Sequence, residues 1–233
     1  LVTTLLLPGL AHELHGFSTD SLDFKIGQML MVGFRGTTAR AGSPIAKDIQ
    51  DLHLGGVILF DFDVAKKEYG RNIQSPMQLL NLTEQLQEIA RTPLFIGVDQ
   101  EGGTVCRLKT GQGFPRNVSH AYLGKTDNAD TTSYYADLLA RSLAIVGVNI
   151  NFAPVVDLNV NPENPVIGSI GRSLSADPEI VTRHAALMIK AMHARGVASA
   201  IKHFPGHGSS EEDSHLGFVD VTDTWSETEL QPY

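Results

Sequence analysis

The chain has 233 residues, a formal net charge of −8, 42% hydrophobic residues and 19% charged residues. These values are ordinary for a globular protein, and the length suffices for one domain with a large core. The negative charge argues against nucleic acid and against an anionic membrane surface as partners. No stretch is long and apolar enough for a transmembrane helix. The single cysteine, Cys106, cannot form an intramolecular disulfide.

The first eleven residues, LVTTLLLPGLA, are apolar, and the chain does not begin with Met. Two interpretations stay open for this segment, which we separate as residues 1–20 from a domain at 21–233. It is either the tail of a secretory signal peptide or a short apolar segment that packs on the domain. The first interpretation slightly favours a periplasmic or secreted location, and a cytoplasmic location is compatible with the second.

Predicted strands and helices alternate along the rest of the chain. Ser21 or Asp23 opens a short helix, and Ser43 caps a second one that has Pro44 at its first position. Apolar runs and helical spacing predict strands at residues 26–34, 55–60, 94–98, 148–152 and 197–202, and helices at residues 43–53, 76–91, 130–146 and 178–195. Residues 61–75 are predicted to form a polar loop.

This alternation predicts a parallel sheet with helices on its faces. The strands are apolar along their length, as in sheets that are covered on both faces. We therefore predict an α/β fold of the (β/α)8 TIM-barrel type, here incomplete. A full barrel needs ~250 residues, and the long loops at 61–75 and 102–129 use up length. About five β/α units are expected, with residues 225–233 opening the next helix and the barrel truncated at its C-terminal side.

The densest polar stretch, KHFPGHGSSEEDSH at residues 202–215, follows the last predicted strand. In parallel α/β proteins, active sites form at this end of the strands. Asp213 and His215 are close enough in sequence for the carboxylate to meet the imidazole and fix its tautomer, which suits proton transfer near neutral pH. Two other interpretations are a polar loop with incidental histidines and a His-rich metal site. We assign no chemistry to His207.

Two further loops carry polar groups at strand ends. Asp99 and Glu101 follow the strand at 94–98 and precede a double glycine, where backbone can approach a ligand closely. Asp157 lies in a loop rich in Pro and Asn. We expect it to be structural, either in an Asx-type turn or as a partner of Arg172.

The motif KHFPGHG, followed after four residues by DSH, resembles the signature loop of family 3 glycoside hydrolases of the β-N-acetylglucosaminidase type. Three other stretches agree in order and spacing, namely GVDQEGG at 97–103, NFAPVVD at 151–157 and GRS at 171–173. The resemblance covers about residues 21–233. It implies hydrolysis of terminal, non-reducing β-linked N-acetylglucosamine from chitin- or peptidoglycan-derived sugars by a retaining mechanism. It implies no cofactor and no metal.

The resemblance also implies roles for individual residues. His215 backed by Asp213 is the expected acid/base, and sugar hydroxyls are expected to be bound by Asp99, Arg107, Arg172, Lys202 and His203. Family members usually have Arg directly after the double glycine, where this chain has Thr104. The family's nucleophile is an aspartate after a later strand, which is not expected within these 233 residues.

Two alternatives to this function stay open. One is a non-catalytic sugar-binding fragment that lacks the nucleophile. The other is a family 3 β-glucosidase, against which the DSH sequence at 213–215 argues.

Overall fold

The structure, a computed structural model, describes residues 21–233, so both interpretations of the apolar N-terminal segment lie outside the described residues. The strands are β1 (Met31–Gly33), β2 (Gly56–Leu59), β3 (Phe62–Asp63), β4 (Glu68–Tyr69), β5 (Phe95–Val98), β6 (Ile150–Asn151) and β7 (Ala198–Ser199). The α-helices are α1 (Leu22–Gln28), α2 (Pro44–Asp51), α3 (Pro76–Ile89), α4 (His120–Thr126), α5 (Ala129–Ile145) and α6 (Pro178–His193). Short 3-10 helices lie at Thr110–Gln112 and Glu227–Leu230.

Five strands form one parallel sheet in the order β1-β2-β5-β6-β7. The register aligns Val57 with Ile96 and Gly97 with Ile150. The central strands are buried on both faces, as expected for strands covered by helices. This arrangement confirms the predicted α/β class with five parallel units. Among the described residues, the sheet stays open and does not close into a barrel.

The helices form where capping signals and apolar spacing predict them. The side chain of Ser43 accepts a hydrogen bond from the backbone N–H of Ala46, and Pro44 occupies the first helical position. In α3, Leu79, Leu82 and Leu86 are fully buried on one face. The predicted helices at residues 43–53, 76–91, 130–146 and 178–195 are therefore confirmed, with small differences at their ends.

Three local predictions were wrong. The apolar run at 26–34 is not one strand: α1, whose first turn is capped by the Ser21 side chain accepting the N–H of Phe24, continues to Gln28, and β1 begins only at Met31. The predicted loop at 61–75 contains the antiparallel hairpin β3–β4, and the long loop before residue 130 contains α4. The helix expected to open in residues 225–233 takes the form of a short 3-10 helix, Glu227–Leu230.

The carboxyl ends of β5, β6 and β7 bring three loops to one edge of the sheet. The last loop packs closely on the one that follows β6, since a side chain at Gly208 would lie 1.6 Å from the carbonyl oxygen of Leu158. No helix in the part of the chain described, residues 21–233, has the length and apolar character needed to cross a membrane.

Candidate active site

The residues that the sequence singles out converge on one cavity of about 490 Å³ at the carboxyl edge of the sheet. The cavity wall includes every residue predicted to act on substrate, namely Asp99, Arg107, Arg172, Lys202, His203, Asp213 and His215. Strand ends β5 and β7 supply one wall, and the loops at 164–172 and 207–215 supply the others. The residues predicted to bind sugar and the loop that carries Asp213 and His215 thus line the same cavity.

One side of the cavity, here called the polar wall, is formed by Asp99, Glu101 and Lys202, and Lys202 lies at its centre. Its Nζ lies 2.8 Å from Oδ1 of Asp99 and 2.6 Å from Oε1 of Glu101. An ammonium group has three N–H donors, so one of them is left for a ligand. Asp99 is 22% exposed and keeps acceptor capacity toward the cavity. Together these two residues offer a donor and an acceptor to adjacent hydroxyl groups.

Glu101 and Arg172 form a buried, two-pronged ion pair behind this wall. The Nε and Nη2 atoms of Arg172 donate to the two Glu101 carboxylate oxygens at 2.8 and 2.7 Å. Burial alone would raise the pKa of Glu101, but the hydrogen bonds and charges of Arg172 and Lys202 outweigh it and lower that pKa to about 2. Glu101 is therefore a fixed negative charge that orients both cations.

The sequence-based expectation that Asp157 pairs with Arg172 was wrong. Glu101 takes that guanidinium, and Asp157 instead holds His203, whose Nδ1 lies 2.6 Å from Oδ2 of Asp157. Because a carboxylate can only accept, His203 carries its proton on Nδ1. Its Nε2 faces Nη2 of Arg172 at 3.1 Å. Both ring nitrogens of this predicted sugar-binding residue are thus engaged by protein partners in this structure.

Arg107 links the predicted site to a carboxylate that the sequence analysis left in a loop. Its guanidinium lies 3.8 Å from Asp99 and 3.7 Å from Asp61, which is buried at the end of β2. Thr104, at the position where relatives have Arg, instead donates to the carbonyl of Ile170. Asp61 could have been found by the rule that singled out Asp99, since both directly follow buried strands.

Asp213 and His215 meet as the sequence spacing predicts. The Nδ1 atom of His215 lies 2.6 Å from Oδ1 of Asp213, and the same oxygen accepts the backbone N–H of His215 at 2.8 Å. That backbone bond and then the imidazole bond hold the pKa of Asp213 below its ordinary value. The carboxylate fixes the Nδ1–H tautomer, so Nε2 is the atom free to exchange a proton with a ligand.

The histidines near the cavity have several different partners. In residues 21–233, no group of three or more His, Cys, Asp or Glu side chains is arranged to hold a metal ion. His120, which the sequence analysis missed, is buried behind the site in the first turn of α4, and burial lowers its pKa to about 4. His120 is therefore neutral at physiological pH and adds no charge to the wall.

Comparison with known proteins shows which family this chain belongs to. The description "Glycosyl hydrolase family 3 N terminal domain" fits residues 21–233. Beta-hexosaminidase A of Pseudoalteromonas piscicida is 35% identical over 89% of this chain and 37% of its own length. A family 3 β-N-acetylglucosaminidase structure from Paenibacillus superposes with a TM-score of 0.75 and 38% identity, over 84% of this chain and 35% of that one.

A third similar structure is that of NagZ from Neisseria gonorrhoeae in complex with N-trifluoroacetyl-D-glucosamine. It has a TM-score of 0.71 and 31% identity, over 82% of this chain and 53% of that protein. The chain therefore spans between about a third and somewhat more than half of the length of these relatives. It belongs to glycosyl hydrolase family 3, within the N-terminal domain of that family.

Proposed function

We propose that the protein containing this chain is a retaining β-N-acetylglucosaminidase that removes terminal, non-reducing N-acetylglucosamine from chitin- or peptidoglycan-derived sugars. The observation that carries the proposal is that the Asp213–His215 pair and the Asp99–Lys202 pair line one cavity. A glycosidase needs such a division, because one group must bind the sugar while another protonates the departing oxygen. The family relationship and the named relatives support the same substrate class.

Each group has a defined task in this proposal. Asp99, Lys202 and Arg107 bind the hydroxyls of the terminal sugar, and Arg172 with His203 holds the wall behind them in place. Nε2 of His215 gives a proton to the leaving oxygen and later accepts one from the attacking water, while Asp213 keeps the imidazole oriented.

The direct test uses the intact protein and two aryl glycosides that differ at carbon 2 of the sugar. The N-acetyl-β-glucosaminide should be hydrolysed in clear preference to the β-glucoside. Proton NMR of the first product should show the β-anomer, as retention requires. An α-anomer, or a preference for the glucoside, would contradict the proposal.

Replacing Asp99 with alanine should weaken the binding of N-acetylglucosamine by about 10- to 150-fold. A hydrogen bond to a charged group is worth ~1.5–3 kcal/mol, and its loss leaves sugar hydroxyls unpaired. Calorimetry measures the change directly. Glu84→Gln, at an exposed position on α3, is the matched control and should bind as the parent does. Unchanged affinity in the Asp99 variant would remove this residue from the sugar site.

A specific observation also supports a second candidate, a sugar-binding unit without catalysis. A retaining enzyme needs a nucleophile, usually a carboxylate, in addition to the acid/base. Among the described residues, each carboxylate lining the cavity already has a charged or histidine partner: Asp99 and Glu101 contact Lys202, and Asp213 contacts His215. None is placed as an available nucleophile.

Residues 1–233 expressed alone are therefore expected to bind N-acetylglucosamine but not to hydrolyse an aryl N-acetyl-β-glucosaminide. Spectrophotometric release of the aryl alcohol, at enzyme concentrations high enough for single-turnover detection, measures this. The intact protein is the positive control. Turnover by the isolated 233 residues would show that the nucleophile lies among them, and Asp99, Glu101 and Asp157 would then be tested by substitution.

A further inference from the structure

His207 is anchored to the buried part of the site by its own backbone. Its N–H donates to Oδ1 of Asp157 at 2.8 Å, and its carbonyl oxygen accepts from Nδ2 of Asn164 at 2.7 Å. Both partners are fully buried in the loop that follows β6. The position of His207 is thus set by the core of the site and not by the exposed loop that follows it.

The ring of His207 spans that exposed loop. Nδ1 lies 3.1 Å from Oγ of the buried Ser210, and Nε2 lies 2.8 Å from Oγ of the exposed Ser214. Ser214 stands directly between Asp213 and His215. The imidazole therefore joins the fixed base of the loop to the residue that separates the two members of the proton-transfer pair.

The hydrogen-bond partners of Ser210 define the protonation of the ring. The Ser210 hydroxyl has one hydrogen, which it donates to the carbonyl oxygen of Glu212 at 3.0 Å, and it accepts from Asn164 at 3.2 Å. Nδ1 of His207 can then pair with this hydroxyl only as a donor. Nε2 is consequently the acceptor, and the hydroxyl of Ser214 donates to it.

Few other contacts hold this segment. In the part of the chain that the structure describes, residues 211–216 make only two hydrogen bonds with residues outside the segment: the carbonyl of Glu212 accepts from Ser210, and the hydroxyl of Ser214 donates to the His207 ring. The bonds between Asp213 and His215 are internal to the segment, so they orient the two groups toward each other but do not place them over the cavity.

We propose that His207 is a positioning residue that clasps Ser214 and thereby holds the Asp213–His215 pair over the sugar pocket. The catalytic consequence rests on the proposed function, whereas the structural clasp does not. Loss of either partner should free the tip of the loop and lower the fraction of molecules in which His215 can reach the glycosidic oxygen. These variants should therefore transfer the proton more slowly and bind the sugar with unchanged affinity.

The first test measures amide hydrogen exchange in the intact protein without any substrate. His207→Ala and Ser214→Ala should each speed exchange at residues 212–215 by about fivefold, the loss expected for one hydrogen bond. Exchange at residues 161–166, in the supporting loop, should not change. Ser214→Ala is decisive if the partly buried His207→Ala variant folds poorly, because Ser214 is exposed. Unchanged exchange at 212–215 in Ser214→Ala would overturn the clasp.

The second test measures kcat/KM of the intact protein on a glycoside with a poor leaving group and on a dinitrophenyl glycoside. Each single variant should lose about five- to tenfold on the first substrate and much less on the second. The double variant should be no worse than either single one, since both remove the same contact. His207→Gln, whose amide can approach Ser214, should recover part of the loss. Equal losses on both substrates would reduce His207 to a general structural role and overturn the proposal.

The two proposals fail separately. If the loss of kcat/KM in His215→Ala depends on the leaving group while the losses in the His207 and Ser214 variants do not, the clasp is wrong and the proposed function stands. If His215→Ala shows no such dependence, the proposed acid/base is wrong, and the exchange experiment still decides whether the clasp exists.

Discussion

Replacing His215 with alanine in the intact protein is expected to lower kcat/KM for a disaccharide or alkyl glycoside by about 10²- to 10⁴-fold, the usual contribution of a positioned acid/base. For a dinitrophenyl glycoside the loss should be small, because this group leaves without protonation. The parameter kcat/KM is the correct measure, since it reports the first irreversible step. The second step also needs His215 as a base, so kcat falls on both substrates.

Azide provides an independent check on the same variant. It attacks a glycosyl intermediate without base assistance and should restore turnover of the dinitrophenyl substrate by His215→Ala. Asp213→Asn should lower activity less, because the imidazole remains while its orientation is disturbed. His193→Ala, exposed in the last turn of α6, is the matched control. Equal losses on both substrates would exclude His215 as the acid/base.

The parts of this site that the sequence predicts are those that depend on local chain geometry. Asp213 and His215 are two residues apart in a loop, so their contact follows from spacing alone. Asp99 directly follows the buried strand β5, Lys202 lies three residues after β7, and the carboxyl ends of these parallel strands meet at one edge of the sheet.

The pairings between loops could not be predicted in the same way. Arg172 and Glu101 are separated by 71 residues, and Lys202 and Asp99 by 103. Which carboxylate meets which cation depends on strand register and loop path, neither of which the residue types specify. Asp157 shows the consequence: the local pattern identified it as structural, but its partner is His203 and not Arg172.

Fixed charges behind the wall also explain why the candidate pocket can hold three cationic side chains close together. Glu101 contacts both Arg172 and Lys202 and offsets part of their positive charge, and Asp61 lies near Arg107 and Lys109. Without these buried carboxylates, the like charges would repel one another and their N–H groups would not stay oriented toward a sugar. The buried carboxylates of Glu101 and Asp61 thus orient the cationic side chains of the cavity.

Replacing Arg172 with methionine should destabilise residues 1–233 by about 3–5 kcal/mol at neutral pH, because the variant leaves a buried carboxylate with half of its partners removed. The Glu101 side chain is fully buried in that pair. Denaturant unfolding followed by circular dichroism measures the loss. Arg195→Met, which breaks an exposed pair with Asp137, is the matched control and should cost less than ~1 kcal/mol. A similar small loss of stability in both variants would contradict a stabilising role for the buried Glu101–Arg172 pair.

The pH dependence of the unfolding free energy distinguishes loss of the Glu101–Arg172 ion pair from loss of side-chain packing. In the parent, the pKa of Glu101 is lowered from 4.5 to about 2, so the stability that its charge contributes is present above pH ~4.5 and is lost as the pH falls toward 2. In Arg172→Met the carboxyl loses its main partner, its pKa rises, and it takes up a proton more readily on acidification. The difference in unfolding free energy between parent and variant should therefore shrink between pH 7 and pH 4. In Arg172→Met/Glu101→Gln no buried charge remains at this position, so the double variant should be more stable than Arg172→Met at pH 7. A pH-independent difference would attribute the loss to the shape of the side chain and not to its charge.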